Sequence, residues 1–377
     1  MNFELEDRYL AIQEQARDFA QSIAHLAAEA DEMSSLHQGI LDGLRRSDLS
    51  RLVVPAAYGG IHETLDPLAI CLVREVLMAT CCQADSLFAM QGIGSYALSI
   101  GGTDEQRKHW LPKIASAECL PAFALSEIDS GSDLKSVRTE IFRDGNDAQL
   151  SGSKSFISNA GVASYYIVFA RDGSGYSLVL VPADANGISV SPTPDIIAPH
   201  VMGEVVFDDV NVPADACLGE AGDGLNLVLA TLSVFRVSVA GAAVGLAEAA
   251  LGEAVRHTRE RQQFGRPLIA LGPVAQMLAD CWTEVEMARL ITYKAAYLAG
   301  KHGLKSVNYS SMAKLGASEM ASRVVDRCVQ VMGRYGLISG SKIERYYRQA
   351  RPMRIYEGAS EVLRQSIAKT LANNVDR

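Results

Sequence analysis

The sequence predicts an α+β multidomain chain in which two helical regions flank a β region, and three observations carry that expectation. Apolar residues recur at helical spacing up to about residue 118, short β-rich runs follow from Leu120, and helical periodicity returns after Gly222 and persists. The boundaries drawn from these changes are 1–118 for an N-terminal all-α domain, 119–222 for a middle β domain and 223–377 for a C-terminal helical bundle domain. At about 150 residues per domain, a chain of 377 residues is expected to hold two or three.

In the first region Leu5, Tyr9, Ile12, Ala16, Phe19 and Ile23 form the stripe of an amphipathic helix. Asp66 and Pro67 read as N-cap and first helical residue of another, because proline lacks the N–H that a helix start leaves unbonded anyway. Thr103 and Gln106 have capping-box spacing ahead of a helix carrying Trp110. The runs 122–125, 137–142, 165–170, 177–181 and 205–207, with turns at Asp144-Gly145 and Asp172-Gly173, suggest a small β-barrel or sandwich. Long helices are expected near 225–262, 273–302 and 306–333, with shorter ones after Ser341 and with Gly303 and Gly336 as stops. The small residues Ala240, Gly241, Ala242, Ala243, Gly245 and Ala247 allow close helix contact, as a bundle requires.

Bulk properties exclude several function classes. The net charge of −9 repels phosphate backbones and anionic lipid, so nucleic acid is not the expected partner. The apolar stretch from Leu225 to Leu246 is interrupted by Asn226 and Arg236, and a mid-span Arg costs about 2.5–3.5 kcal/mol on insertion scales; it reads as a buried helix, with no membrane role. Seven cysteines without paired spacing fit reduced thiols, and the acidic N-terminus MNFELEDRYL lacks the pattern of a signal or transit peptide, so a cytoplasmic location is expected. No His or Cys pair has metal-ligand spacing, and neither a GxSxG elbow nor a phosphate-binding GxxxxGK[ST] loop occurs.

Four stretches remain as candidates for chemistry. Gly92 to Ala97 matches GxGxxA, but it lies in an apolar helical stretch, where close helix packing explains the glycines better than a dinucleotide site. Ser126 to Asp133 follows a strand with small and polar residues that either turn N–H groups and hydroxyls towards an anion or form an ordinary polar turn. Glu357 sits between Tyr356 and Gly358. It is either a carboxylate favoured by the following helix dipole or, if buried, a base able to take a carbon-bound proton next to a thioester. Lys342, Arg345, Arg348, Arg351 and Arg354 recur every third residue, suited equally to ion pairs and to an anionic ligand.

Taken in order, separated motifs resemble the acyl-CoA dehydrogenase family over essentially the whole chain. Tyr58-Gly59-Gly60 after Leu52 to Pro55 is similar to VPxxYGG, Ala122 to Asp133 to AxxxTExxxGSD, and Gly152 to Asn159 to NGxKxWITN. Val206 to Pro213, Arg259 to Gly265, Glu344 to Arg348 and Ile355 to Glu361 complete the series. The resemblance implies an N-terminal helical domain, a middle β-barrel domain and a C-terminal four-helix bundle, assembled as a homotetramer of two dimers, with FAD as cofactor. It implies that Phe123, Leu125 and Ser126 line the flavin, that Gly131 and Ser132 meet its pyrophosphate, that Phe156 lies beside the isoalloxazine, and that Ser158 lies near N5 and O4. Arg261, Phe264, Gln330 and Gly333 would serve the FAD of a neighbouring subunit, and Ala359 and Glu361 also fall on cofactor positions.

Glu357 takes the place of the family's commonest catalytic base, and the alternative position carries Phe235 before Arg236. The implied reaction is α,β-dehydrogenation of an acyl-CoA or acyl-carrier-protein thioester. Glu357 removes the α proton, a hydride goes to flavin N5, Ser132, Arg236 and Tyr356 border the substrate, and an electron-transfer flavoprotein takes the electrons. The alternatives are a flavin oxidase or monooxygenase on the same fold, whose members generally lack this carboxylate, and a nucleic-acid-binding relative. Departures from the family pattern are Ala198-Pro199-His200 for Arg, Gly and Ser, Arg334 for Gly, Gln349 for Asp and Ala359 for Thr. They bear on FAD affinity and on the thioester accepted.

Overall fold

The structure is a computed structural model that describes residues 4–144 and 147–374. The helices are α1 (Asp7–Ile23), α2 (Ala27–Ala30), α3 (Gln38–Ser47), α4 (Pro67–Thr80), α5 (Cys82–Gly101) and α6 (Asp104–Ala115), then α7 (Gly224–Glu260), α8 (Gly272–His302), α9 (Val307–Met332), α10 (Lys342–Ala350) and α11 (Ser360–Asn374). Between α6 and α7 lie β1 (Pro121–Ala124), β2 (Glu140–Asp144), β3 (Asp147–Ser158), β4 (Tyr165–Asp172), β5 (Gly175–Pro182), β6 (Ile188–Pro192), β7 (Met202–Pro213) and β8 (Cys217–Leu218). Two short strands, β9 (Gln262–Gln263) and β10 (Arg266–Pro267), join α7 to α8. The chain divides into two compact units: Met1–Glu32, Pro67–Asp85 and Arg236–Arg377 form one, and Met33–Asp66 with Ser86–Phe235 the other.

The first unit is helical. The α1 stripe buries Tyr9, Ile12, Ala16, Phe19 and Ile23 as its spacing predicts, and α1 packs on α4, α4 on α8, α8 on α9, and α9 on α10 and α11. Helix α7 meets α4 at very close range because two of its residues have no side chain. A Cβ on Gly241 would stand 2.6 Å from the Cys71 carbonyl oxygen, and one on Gly245 would overlap the Glu75 carbonyl. By length and composition α7 could cross a membrane, yet 78% of its most apolar window is buried in protein, as expected of a core helix. Gly303 terminates α8 as predicted. Helix α9 ends within a residue of the expected 333, at Met332, with Gly333 at φ 59° as its stop, and Gly336, the stop expected, falls in a following 3-10 turn (Gly333–Leu337). Lys342, Arg348 and Arg354 pair with Glu253, Glu344 and Glu319, which favours ion pairs over a ligand for those three members of the cationic row.

The second unit is built on an eight-stranded sheet in the order β6-β7-β3-β2-β4-β5-β8, with β1 added parallel to β4. Its core is Val, Leu, Ile and Ala from alternating strand positions with Tyr166 and Phe207. Three strands of this sheet escaped the sequence reading, β3, β6 and the two-residue β8. The longest one, β3, is studded with Ser, Gln and Lys, so it does not register as β-rich, and β6 is mostly exposed. The Asp172-Gly173 turn closes the β4–β5 hairpin with Gly173 at φ 57°, whereas the expected Asp144-Gly145 turn includes Gly145, outside the described residues. Thr103 and Gln106 form the capping box of α6, with Gln106 N donating to Thr103 Oγ1 at 3.2 Å and Thr103 N to Gln106 Oε1 at 2.8 Å. The GxGxxA glycines are packing residues: a Cβ at Gly92 would overlap the Phe235 ring, and one at Gly94 would lie 2.6 Å from Pro121.

Candidate functional site

In the first unit the chain leaves α10, passes a short 3-10 turn at Pro352–Arg354 and reaches α11 through Ile355 to Ala359. Two consecutive residues there have left-handed backbones, Glu357 at φ 52° and Gly358 at φ 111°. Glycine does so freely, but a left-handed non-glycine residue costs on the order of 1–3 kcal/mol and persists only where its surroundings enforce it. The enforcement comes from two cations. Arg236 Nε donates to the Glu357 carbonyl at 2.9 Å and its Nη1 to Ser311 Oγ at 3.3 Å, while Lys314 Nζ donates to the Gly358 carbonyl at 2.6 Å.

The Glu357 side chain is enclosed, and its Oε2 has no hydrogen-bond partner among the described residues. Burial pushes its carboxyl above the ordinary glutamate range; Arg74, Arg236 and Lys314 pull the other way, and Asp85 adds to the rise. Arg74 is itself neutralised, since its Nε and Nη2 meet Asp85 Oδ1 and Oδ2 at 2.9 and 2.7 Å and its Nη1 meets Ser238 Oγ at 2.9 Å. An enclosed carboxylate with a free oxygen and a raised pKa is what proton abstraction from carbon needs near neutral pH. Phe235, where the alternative base would stand, is fully buried against Tyr96 at 6.1 Å between ring centroids and has no proton-accepting group. Tyr356 stays 39% exposed, and Glu361 is exposed in the first turn of α11, close in sequence to the half-buried Ala359.

The same unit carries a second group of the predicted residues. Arg261 and Gly333 line one open groove of about 380 Å³ together with His257, Arg334 and Tyr335. Both guanidinium carbons stand over the Tyr335 ring, Arg261 at 5.7 Å and Arg334 at 5.2 Å, which leaves cationic edges suited to an anion. Phe264 caps the β9–β10 hairpin at φ 53° and is 89% exposed, and Gln330 is exposed at the end of α9; neither lines the groove.

In the second unit the predicted flavin-lining residues lie on β1, in the loop that follows it and at the end of β3. Phe123 is nearly buried on β1, and the Leu125 carbonyl accepts from Lys154 Nζ at 3.0 Å. The Ser126 hydroxyl donates to the Ser155 carbonyl at 2.7 Å and Ser155 N returns a bond to Ser126 O at 2.9 Å, which ties the 126–133 loop to β3. A buried ion pair missed by sequence reasoning holds the loop from beneath. Glu127 Oε1 accepts from Lys154 Nζ at 2.9 Å and Thr139 Oγ1 at 2.7 Å, and Oε2 accepts from Arg138 N at 2.7 Å. Burial alone would raise the Glu127 carboxyl, but these donors outweigh it and hold it below the usual glutamate range, while burial pushes Lys154 down to about 8. Lys154 looks like a surface charge in a polar strand, and only its partner Glu127, 27 residues earlier in the loop after β1, reveals otherwise.

Above that anchor Gly131 has nothing within 4 Å of a would-be Cβ, and Ser132 is exposed. A register shift of β3 against β7 between Lys154 and Ile157 makes a bulge, which turns Phe156 to φ 57° and leaves it 46% exposed. At the strand's end Ser158 Oγ lies 2.8 Å from His200 Nε2, with Ser86 Oγ at 3.5 Å. Burial pushes His200 down to about 4, so the imidazole is neutral at neutral pH and pairs with the hydroxyl without a charge. His200, one of the departures noted in the sequence, thereby becomes a direct partner of a predicted cofactor residue.

Comparison with known proteins bears on the chain as a whole. The acyl-CoA dehydrogenase N-terminal domain matches residues 6–118, the middle domain 122–210 and the C-terminal domain 222–372. Cyclohexane-1-carbonyl-CoA dehydrogenase of Geobacter metallireducens is 35% identical over 355 residues, 93% of either chain. Among solved structures, butyryl-CoA dehydrogenase from Megasphaera elsdenii superposes with a TM-score of 0.94 at 30% identity, covering 99% of this chain and 100% of that one. Glutaryl-CoA dehydrogenase from Mycobacterium smegmatis in complex with FADH2 does so with a TM-score of 0.91 at 25% identity, covering 98% and 96%.

Proposed function

The chain belongs to the acyl-CoA dehydrogenase family, and from that premise we propose that it desaturates the Cα–Cβ bond of an acyl thioester with Glu357 as base and FAD as oxidant. It is an oxidoreductase acting on CH–CH groups. The observation that carries the proposal is the unpartnered Oε2 of Glu357, enclosed on a strained turn that buried cations hold in place. A carboxylate kept for a structural ion pair would have both oxygens occupied, as Glu127 does.

The residues fit the cofactor. The second unit offers an open glycine, exposed Ser132 and Phe156, and the neutral Ser158–His200 pair; the groove of Arg261, Arg334 and His257 suits a diphosphate. In this reading Phe123, Leu125, Ser126, Gly131, Ser132, Phe156 and Ser158 hold the flavin half. Arg261, Phe264, Gln330 and Gly333 serve the FAD of a second copy in a homotetramer, with Ala359 and Glu361 at its edge. When bound, the flavin accepts the β hydrogen with its electron pair.

The rest of the chemistry belongs to the chain. Glu357 takes the α proton on Oε2, and the electron pair of that C–H bond becomes the new π bond as the β hydrogen leaves. Charge building on the thioester oxygen needs a donor, and Glu357 N qualifies: Tyr356 N is spent on Pro352 O at 3.1 Å, while Glu357 N has no acceptor among the described residues. Arg236 and Tyr356 border the thioester, Arg236 with its Nε committed to the turn. The natural thioester is an acyl-CoA or an acyl-carrier-protein conjugate, and the electrons pass on to an electron-transfer flavoprotein. Anaerobic addition of acyl-CoAs and acyl-carrier proteins to the yellow holoprotein tests this directly: bleaching by at least one saturated thioester is expected. Bleaching by none of them, or substrate-dependent incorporation of oxygen into product, overturns the reading in favour of a flavin oxidase or monooxygenase.

A further inference from the structure

Lys314 is an unusual residue to find where it is. It lies on α9, fully buried, and among the described residues its ammonium has the Gly358 carbonyl as its hydrogen-bond acceptor and no carboxylate in ion-pair contact. A carbonyl can be satisfied by a neutral amide or hydroxyl, whereas an ammonium taken out of water without a carboxylate in contact is strongly disfavoured. The charge therefore needs an explanation beyond the hydrogen bond, and Glu357 provides one.

We propose that Lys314 is a positioning residue for the base: its bond to the Gly358 carbonyl fixes the left-handed turn that carries Glu357, and its charge faces the carboxylate that must form there. The inference rests on the reading of Glu357 as the base. Three carbonyls in succession are tied, Glu357 by Arg236 at 2.9 Å, Gly358 by Lys314 at 2.6 Å and Ala359 by Leu363 N at 3.0 Å, so the turn cannot relax towards an ordinary backbone. Among the groups that face Glu357, Arg74 on α4 lowers its carboxyl most, but that guanidinium is bonded to Asp85 on α5, whose charge acts the other way. Arg236 on α7 and Lys314 on α9 remain as cations whose nearest acceptors are neutral carbonyls and a hydroxyl. Burial pushes Lys314 down to about 8; Glu357, Glu319 and Glu361 raise it and Arg236 lowers it, so the charge survives at neutral pH.

The test compares holoenzymes carrying Lys314→Met, Lys314→Gln and Lys314→Arg with wild type and Glu357→Gln. The readouts are the pH profile of kcat/KM and the protonation of Glu357, followed as the carboxylic-acid band in infrared difference spectra against Glu357→Gln. Loss of the facing charge in the Met and Gln variants is expected to move the acid limb and the infrared titration upward by about one pH unit and to lower kcat more than it raises KM. Arg is expected to restore the titration. The Gln variant keeps a donor for the Gly358 carbonyl, so it reports on charge even if the Met variant fails to fold. An unmoved acid limb and infrared titration in the Gln variant, with Glu357→Gln inactive, overturn the inference alone. Normal turnover in Glu357→Gln overturns the base reading and this inference with it.

Discussion

The Glu357 turn and the 126–133 loop both carry a largely enclosed glutamate near a buried lysine, and they use them in opposite ways. Glu127 meets Lys154 directly at 2.9 Å and has every oxygen occupied, so its carboxyl is held below the ordinary range. Glu357 has an empty Oε2, its cations bond backbone carbonyls instead of the carboxylate, and its carboxyl is pushed up. Which atom the lysine touches decides whether the carboxylate is spent on structure or kept for a proton. A directly paired glutamate is a rivet, and one whose partner is held a peptide away is available for chemistry.

The largest expected effect that sharpens this comparison is on stability. Lys154→Met removes the cation paired with Glu127, and Arg74→Met the one paired with Asp85; breaking one partner of a buried pair costs about 3–5 kcal/mol, read from urea unfolding. Lys314→Met strands no paired carboxylate, and its unfolding curve is expected to move much less than that of Lys154→Met. An equal loss in the two lysine variants would erase the distinction.

The pH dependence of stability should differ in sign between the two glutamates. Glu127 has a folded pKa below its unfolded value, so its contribution is present above the ordinary glutamate range and is lost as pH falls through the depressed folded value. Glu357 has a raised folded pKa, so its contribution is present below the ordinary range and is lost as pH rises through the folded value. Replacing Glu127 by Gln is therefore expected to flatten the acid side of the stability profile, and replacing Glu357 by Gln to remove a decline towards neutral pH. Unfolding free energies measured from pH 3 to 8, a window of about that width around the carboxylate range, check both signs.

The smallest effect concerns His200. Removing it in His200→Ala takes one partner from Ser158, a loss of about 0.5–1.5 kcal/mol for an ordinary hydrogen bond, visible as a small drop in melting temperature. Because burial holds the imidazole near 4, no limb of the activity profile between pH 5 and 8 is expected to vanish with it. A limb that did vanish would mean the imidazole titrates in that range.

Much of this was legible in the sequence. The periodicities of α1, α4 and α8, the Thr103–Gln106 box and the buried character of α7 follow from local spacing. Glu357 stood out because an aromatic and a glycine bracket it, and that glycine does take φ 111°. What spacing could not supply is the set of partners. Arg74, Asp85, Arg236 and Lys314 come from four helices, and nothing local to any of them announces Glu357. Lys154 sits in a strand so polar that neither the strand nor the burial of the lysine shows in the residue pattern. Helix α9 ends at Gly333 and not at Gly336 because two glycines three residues apart are both adequate stops, and the first to take a left-handed backbone ends the helix.

The central claim, that Glu357 is the proton acceptor, is tested most directly by single-turnover reduction of Glu357→Gln holoenzyme with a thioester that bleaches the wild type, alongside its flavin content. The account predicts a full complement of FAD and a reduction rate lower by about 10²- to 10⁴-fold, the usual contribution of a positioned base. Flavin retained and reduced at the wild-type rate would contradict it.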